Sequence, residues 1–394
     1  MKLIKTILII YLFTILSWIV VHYYSKKIGY GCSTCNRTVK EILVQGHYEM
    51  ATVNNGIVSL SSKHFEKQMK ENLNRRPTTE TISPSVTNVT RLIKNKDILN
   101  NFETFYKNVS DSKLNDSLIH QHRYKVLLNN EMRCFGKDIF LLVFVHISTS
   151  NFEGRHLIRS TFGSISNFDH KHIEYVFVLG QTSDVKRQRY IELESKRHKD
   201  IIQGSFIDSY RNLTYKLVFS LFWVNTFCSN ATFVIKMDED IIINVPLLVS
   251  YLSKKIRNNI TSDILECHVI TQNKPQRGRK DKWYTTLEEY PFSKFLPYCA
   301  GHSSIMSIDI VKKMYHATSK VPFLWLEDVY GSGFVSLLLK IRMFRPKCYI
   351  NPVKRSLEKG TCNLFYLNEL KNLSNYVIMW DVITSRNISK FCKC

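Results

Sequence analysis

The sequence predicts an α/β domain built on a mostly parallel central sheet with helices on both faces, and three observations predict it. Strand-like apolar runs alternate with helical stretches from about residue 139 to residue 238. The runs are apolar throughout, as expected of strands covered on both faces. The last of them ends in the acidic triplet Asp238-Glu239-Asp240.

Ile139-Phe-Leu-Leu-Val-Phe-Val-His-Ile147 is the first buried-strand run, and a helical stretch follows from about Gly154 to Phe162. Ile173-Glu-Tyr-Val-Phe-Val-Leu179 is the next strand, succeeded by a charged helix from about Asp184 to His198. Ala231-Thr-Phe-Val-Ile-Lys-Met237 leads into the triplet, and Ile241-Ile-Ile-Asn-Val245 leaves it. Open α/β sheets bind ligands outside the carboxyl ends of their strands. Two carboxylates one residue apart at such an end offer hard oxygen ligands to Mn²⁺ or Mg²⁺. A solvated turn is the competing reading, and the apolar flanks on both sides argue against it.

Upstream of this domain the chain reads differently. Residues 7–24 are apolar apart from Thr14, Ser17 and His22, with Lys2 and Lys5 before them and Lys26 and Lys27 after. That is a minimal membrane span, and no small-residue cleavage site follows it as in a signal peptide. Glycosylation signals at Asn36, Asn88, Asn108, Asn115, Asn230, Asn259, Asn372 and Asn387 all lie beyond it. The expected organisation is a cytoplasmic tail (1–6), a signal anchor (7–24), a polar stem (25–131) and a lumenal domain (132–394), a single-pass type II membrane protein of the secretory pathway.

Ten cysteines suit an oxidising compartment. Cys134, Cys228, Cys267, Cys299, Cys348 and Cys362 are expected to form disulfides within the domain, in pairings that spacing leaves open. Cys32-Ser-Thr-Cys35 and Cys392-Lys-Cys394 lack the second half of a zinc site and read as structural or interchain bridges, compatible with a disulfide-linked homodimer. The formal net charge of +22 suits an anionic partner, but its lysines and arginines are scattered and no nucleic acid is expected. No phosphate-cradling glycine loop is present, which excludes Walker-type nucleotidases and dinucleotide dehydrogenases.

Arg155-His-Leu-Ile-Arg-Ser-Thr-Phe-Gly163 resembles the Arg-x-x-Ile-Arg-x-Thr-Trp-Gly motif of the β-1,3-galactosyltransferase family, which also holds β-1,3-N-acetylglucosaminyltransferases. Further matches follow in the family's order: Val178-Leu-Gly180, Asp200-Ile-Ile-Gln203, Asp208 to Lys216, Lys236 to Asn244, Tyr298-Cys-Ala-Gly301, and Glu327-Asp-Val-Tyr330 with Gly333. The resemblance covers about residues 135–385.

It implies the GT-A nucleotide-sugar transferase fold and transfer of galactose from a UDP-galactose donor, with inversion, to the glycan of a glycoprotein, glycolipid or proteoglycan in β-1,3 linkage at the Golgi membrane. By the same resemblance Asp238 and Asp240 hold the metal, Mn²⁺ or Mg²⁺, and Asp238 and Glu239 face the donor. Asp328 is the expected general base, with Glu327 beside it in reserve. Arg155, Arg159, Asp208 and Lys216 are expected around the donor.

Bland readings compete at each position. Glu327-Asp328 suits a helix N-terminus, where the dipole lowers a carboxylate's pKa, and Arg155 and Arg159, four apart, suit a salt-bridged helix face. Lys236 suits a charge-balancing partner of the triplet. Two positions depart from the family: Phe162 replaces the motif's Trp, and Asp381, aligned on a late strand in Tyr376-Val-Ile-Met-Trp-Asp-Val-Ile383, replaces a metal-ligating His. An aspartate there can still bind Mn²⁺. The change equally suits a non-catalytic, glycan-binding or chaperone-like relative, and a UDP-N-acetylglucosamine donor is the nearest enzymatic variant.

Overall fold

The computed structural model describes residues 125–359, 361–368 and 373–385. The expected anchor at 7–24, nearly all of the stem and the paired cysteines at both ends lie outside the described residues. Among the described residues no helix is long and apolar enough to cross a membrane.

Eleven strands are described: β1 (Val126–Leu128), β2 (Ile139–His146), β3 (Asn167–Phe168), β4 (Lys171–Gln181), β5 (Ile201–Ile207), β6 (Ala231–Asp238), β7 (Ile241–Ile243), β8 (Leu265–Ile270), β9 (Tyr298–Ser307), β10 (Ile350–Pro352) and β11 (Phe365–Leu367). The main helices are α1 (Phe152–Ser160), α2 (Val185–His198), α3 (Leu213–Phe227), α4 (Val245–Arg257), α5 (Ile308–Ala317), α6 (Val353–Lys359) and α7 (Leu373–Thr384). The large sheet runs β1-β5-β4-β2-β6-β9-β8, with β3 on β4, and helices cover both faces.

The expectation of a mostly parallel sheet is corrected to a mixed one. β5, β4, β2 and β6 are parallel, whereas β1, β3, β8 and β9 are antiparallel to their neighbours. Every residue of β2 is buried, which matches the unbroken apolar run of a strand covered on both faces. β4 extends the expected 173–179 strand at both ends.

α1 begins at Phe152, before the expected Gly154, because the Asn151 side chain accepts the Gly154 N–H and caps it. β1 lies inside the stretch expected to be stem and pairs with β5. Cys134–Cys228 and Cys267–Cys299 are disulfides, and Cys348 and Cys362 are disulfide-bonded as well.

The acidic triplet is the turn by which the chain leaves the large sheet. β7 starts directly after Asp240 and joins β11 and β10 in a separate three-stranded sheet. The Asp240 carbonyl accepts the Asn368 N–H at 2.9 Å, and Asn244 caps α4 by accepting from Leu247 N at 3.2 Å. Both arms of the turn are thereby anchored.

The late strand expected at Tyr376–Ile383 is instead part of α7. Tyr376, Met379, Val382 and Ile383 are all buried. Their three-and-four spacing is that of one helix face, which a short apolar run does not distinguish from a strand. Asp381 falls on the exposed face of α7.

Candidate active site

The parallel register brings the ends of β2 and β6 together, with His146 opposite Asp238. Asp238, Glu239 and Asp240 are half-buried. Lys236 lies two residues back, on the same side of β6 as Asp238, and is only 3% exposed. Its ammonium donates to Asp238 Oδ1 at 2.7 Å and to the Gly301 carbonyl, and stands 3.5 Å from Glu327 Oε1. Burial opposes its charge, but Asp238 and then Glu327 outweigh it and hold Lys236 above its ordinary pKa.

Glu327 and Asp328 arrive from the opposite side, at the entry to a π-helical segment, Val329–Val335. Asp328 does cap it, accepting from Val329 N at 2.9 Å. Its pKa is nevertheless pushed up to about 6, because burial outweighs that hydrogen bond and the pull of Lys236. The lowering expected from a helix end is therefore corrected: desolvation wins. Glu327 is raised too, by burial first, with Lys236 opposing and Asp238 and Asp328 adding to the rise.

Gly301, on β9, faces these carboxylates. A methyl group there would lie 3.6 Å from Glu327 Oε2 and from Asp328 Cβ, so the glycine keeps the space before them open. His302 follows it, and its pKa is pushed down to about 3 by burial, then by His268, Lys236 and Arg345. It is a neutral imidazole beside the charged cluster. β9 is rich in small and polar residues, so nothing in its periodicity singled out His302; the motif around Gly301 was the only signal.

The other expected donor residues are engaged within the protein. Glu239 Oε2 accepts from Ser148 N at 3.1 Å and Asn151 Nδ2 at 2.9 Å, tying the triplet to the loop after β2. Asp208 accepts from Lys216 Nζ at 3.0 Å on both oxygens and from Gly180 N at 2.8 Å, while Lys216 also donates to the Ile147 carbonyl at 2.9 Å. That pair joins the carboxyl ends of β2, β4 and β5 to α3.

Arg155 is fully buried, with Nε and Nη2 on Glu194 and Nη1 on the Ser148 carbonyl at 2.9 Å. Arg159 binds Asp200 at 2.7 and 2.8 Å and Glu194 at 2.6 Å. Both arginines, expected at the donor, are thus paired with Glu194 and Asp200 within the protein. Phe162, the family's Trp position, is buried and stacks with Tyr376.

Asp381 is not brought to the triplet as a third ligand: among the described residues no three His, Cys, Asp or Glu side chains are grouped to hold a metal ion. Of the expected metal ligands, Asp238 and Asp240 share the turn after β6. Two half-buried carboxylates suit a hard divalent ion that takes its remaining oxygens from substrate and water.

Residues 153–347 match the family model described as galactosyltransferase. The chain is 35% identical to human beta-1,3-galactosyltransferase 9 over 60% of each chain. It is 36% identical to the Xenopus laevis lactosylceramide 1,3-N-acetyl-beta-D-glucosaminyltransferase A over 59% of this chain and 63% of that one. Against mouse beta-1,3-galactosyltransferase 1 it is 33% identical over 57% of this chain and 68% of the relative. The matched region thus spans about three-fifths of the first two relatives. Among solved structures, the apo WbbM bifunctional glycosyltransferase superposes with a TM-score of 0.35 at 8% identity, covering 65% of this chain and 52% of that one, too low to carry an argument. On the sequence matches, the chain belongs to the β-1,3-galactosyltransferase family.

Proposed function

We propose that the protein is a membrane-anchored glycosyltransferase of GT-A fold that moves galactose from UDP-galactose onto a glycan acceptor in β-1,3 linkage, with inversion. The observation that carries this reading is the convergence of Asp238, Glu327 and Asp328 around the single buried ammonium of Lys236. Family membership supports the reaction class.

Asp328 takes the proton of the attacking acceptor hydroxyl. Its raised pKa makes it a stronger base than an ordinary aspartate while leaving it mostly ionised at pH 7. Glu327, raised further, stays beside it as the reserve candidate. Asp238 and Asp240 hold Mn²⁺ or Mg²⁺, which when bound supplies positive charge to the departing diphosphate. Lys236 fixes the Asp238 carboxylate from below, and Glu239 fixes the turn that carries both ligands.

Residues 7–24 serve as the anchor and place the domain in the Golgi lumen. Retention of the full chain in membranes after alkaline carbonate washing supports the anchor, and its release into the wash refutes it. An N-acetylglucosamine donor is the second reading, favoured by the identity to the Xenopus enzyme.

A transfer screen of the full chain with a panel of UDP-sugars, Mn²⁺ and galactose- or N-acetylglucosamine-terminated acceptors tests the proposal. The expected product carries a β-1,3-linked galactose. Use of UDP-N-acetylglucosamine alone selects the second reading, and consumption of no donor sinks the enzymatic one.

A further inference from the structure

A long excursion, residues 271–297, connects β8 to β9. Arg277 organises it: Nη1 donates to the carbonyls of Thr285 and Thr286, and Nη2 to those of Tyr290 and Phe292. The excursion carries Lys274, Arg277, Arg279, Lys280, Lys282 and Lys294 against Asp281, Glu288 and Glu289. It is held to the segment after β5 by Trp283 Nε1, which donates to the Tyr210 hydroxyl at 2.8 Å.

Around that contact lies a surface of aromatic rings and cations. Trp283 is 45% exposed and Tyr210 49%. The Lys282 ammonium stands 5.3 Å from the centroid of each ring. Tyr210 packs edge-on against Trp325, and the exposed Arg211 guanidinium lies 3.7 Å over the Trp325 ring. Trp325 is 5% exposed, and its indole N–H makes no hydrogen bond among the described residues. Asp281, the acid next to Lys282 in the chain, turns back to accept from Gly278 N at 2.9 Å.

Trp325 precedes Glu327 by two residues, a reach of at most about 7 Å of extended chain. Thr214 Oγ1, at the start of α3, donates to the Leu324 carbonyl at 2.6 Å and fixes this stretch to the Tyr210 side. The chain segment against which Tyr210 and Arg211 pack therefore leads within two residues to Glu327. A pyranose presents C–H groups that pack on ring faces, and an anionic substituent on it meets Arg211 and Lys282.

We propose that Tyr210, Trp283, Arg211 and Lys282 form an acceptor subsite for an acidic sugar unit, carboxylated or sulfated, next to the sugar that receives the transfer. The subsite rests on the transferase reading for its place in the reaction.

Three disaccharides test it, each with a terminal galactose and differing only at C6 of the second sugar: lactose, lactose sulfated at O6 of its glucose, and galactosyl-β-1,4-glucuronate. Calorimetry on the full chain with UDP and Mn²⁺ is expected to show at least one anionic ligand binding roughly tenfold tighter than lactose, the worth of one charge-assisted hydrogen bond. Which of the two binds tighter identifies the anion, and the gap closes at high salt. Lys282→Ala and Arg211→Ala shrink the gap with UDP affinity unchanged, Lys282→Arg restores it, and Trp283→Ala weakens all three ligands alike.

Equal binding of the three disaccharides by the parent, or an anionic preference that survives both cation substitutions, overturns the subsite. Failure of the parent to bind UDP or consume any donor refutes the transferase reading instead. The anionic preference then remains readable in the same titration without UDP.

Discussion

Two clusters of buried charge contribute to this domain, and they behave in opposite ways. Arg155 and Arg159 pair with Glu194 and Asp200 at 2.6–3.1 Å, and Arg133 adds a third cation 3.9 Å from Asp200. Burial there would raise the Glu194 pKa, but the two guanidinium groups overcome it and hold that carboxyl below its usual range. Around Lys236 a single cation serves Asp238, Glu327 and Asp328, and burial keeps Glu327 and Asp328 above theirs. Both clusters contain family-motif residues of the same chemical types. Their stoichiometry separates them: a cluster closed by at least one cation per carboxylate makes a brace, and an open one with an excess of carboxylate makes a site able to take up a proton or a metal ion.

Breaking the closed cluster is expected to give the largest effect. Arg155→Met strands part of the buried charge and is expected to cost about 3–5 kcal/mol of stability, measured by urea unfolding, while folded molecules keep their UDP affinity. A loss of UDP binding without loss of stability would return Arg155 to the donor site.

Asp328→Asn acts on the open cluster and is expected to lower kcat roughly a hundredfold with UDP-sugar affinity retained. A cap alone predicts a silent substitution, because Asn caps as well as Asp. Glu327→Gln, assayed beside it, decides which carboxylate is the base.

Asp240→Asn sharpens the difference further. It removes a charged ligand and is expected to weaken Mn²⁺-supported UDP binding about tenfold with the melting temperature unchanged. Equal UDP affinity with and without metal in the parent contradicts the metal assignment.

The smallest expected effect is in pH. Asp328 accepts a proton only when ionised, so kcat/KM is expected to fall as pH drops through about 6. Lys236 lowers that value; Lys236→Met should therefore move the acid limb of the profile upward. A limb that stays in place argues that another group controls it.

The β2 and β6 strands were legible because strands buried on both faces read as nearly unbroken apolar runs, and the triplet stood out against that background. β9 was not: its first part, Tyr298-Cys-Ala-Gly-His-Ser-Ser304, is mostly small and polar around the open space that Gly301 keeps clear. The arginine partners were equally hidden, since Glu194 and Asp200 lie 35–41 residues away in the chain, and only the fold brings them back. Asp381 misled for a different reason. Eight apolar-rich residues fit either period, and packing against the core selected the helix.

The Cys267–Cys299 disulfide holds its two Cα atoms 5.5 Å apart and closes the base of the excursion between β8 and β9 across a sequence separation of 32. With its ends pinned to neighbouring strands, a change in the length of the enclosed chain costs little, about 0.6 kcal/mol per doubling. Length variation inside the clasp is thus thermodynamically inexpensive and does not alter where β8 and β9 meet. The domain separates a stretch free to diverge from a sheet edge that must hold its register.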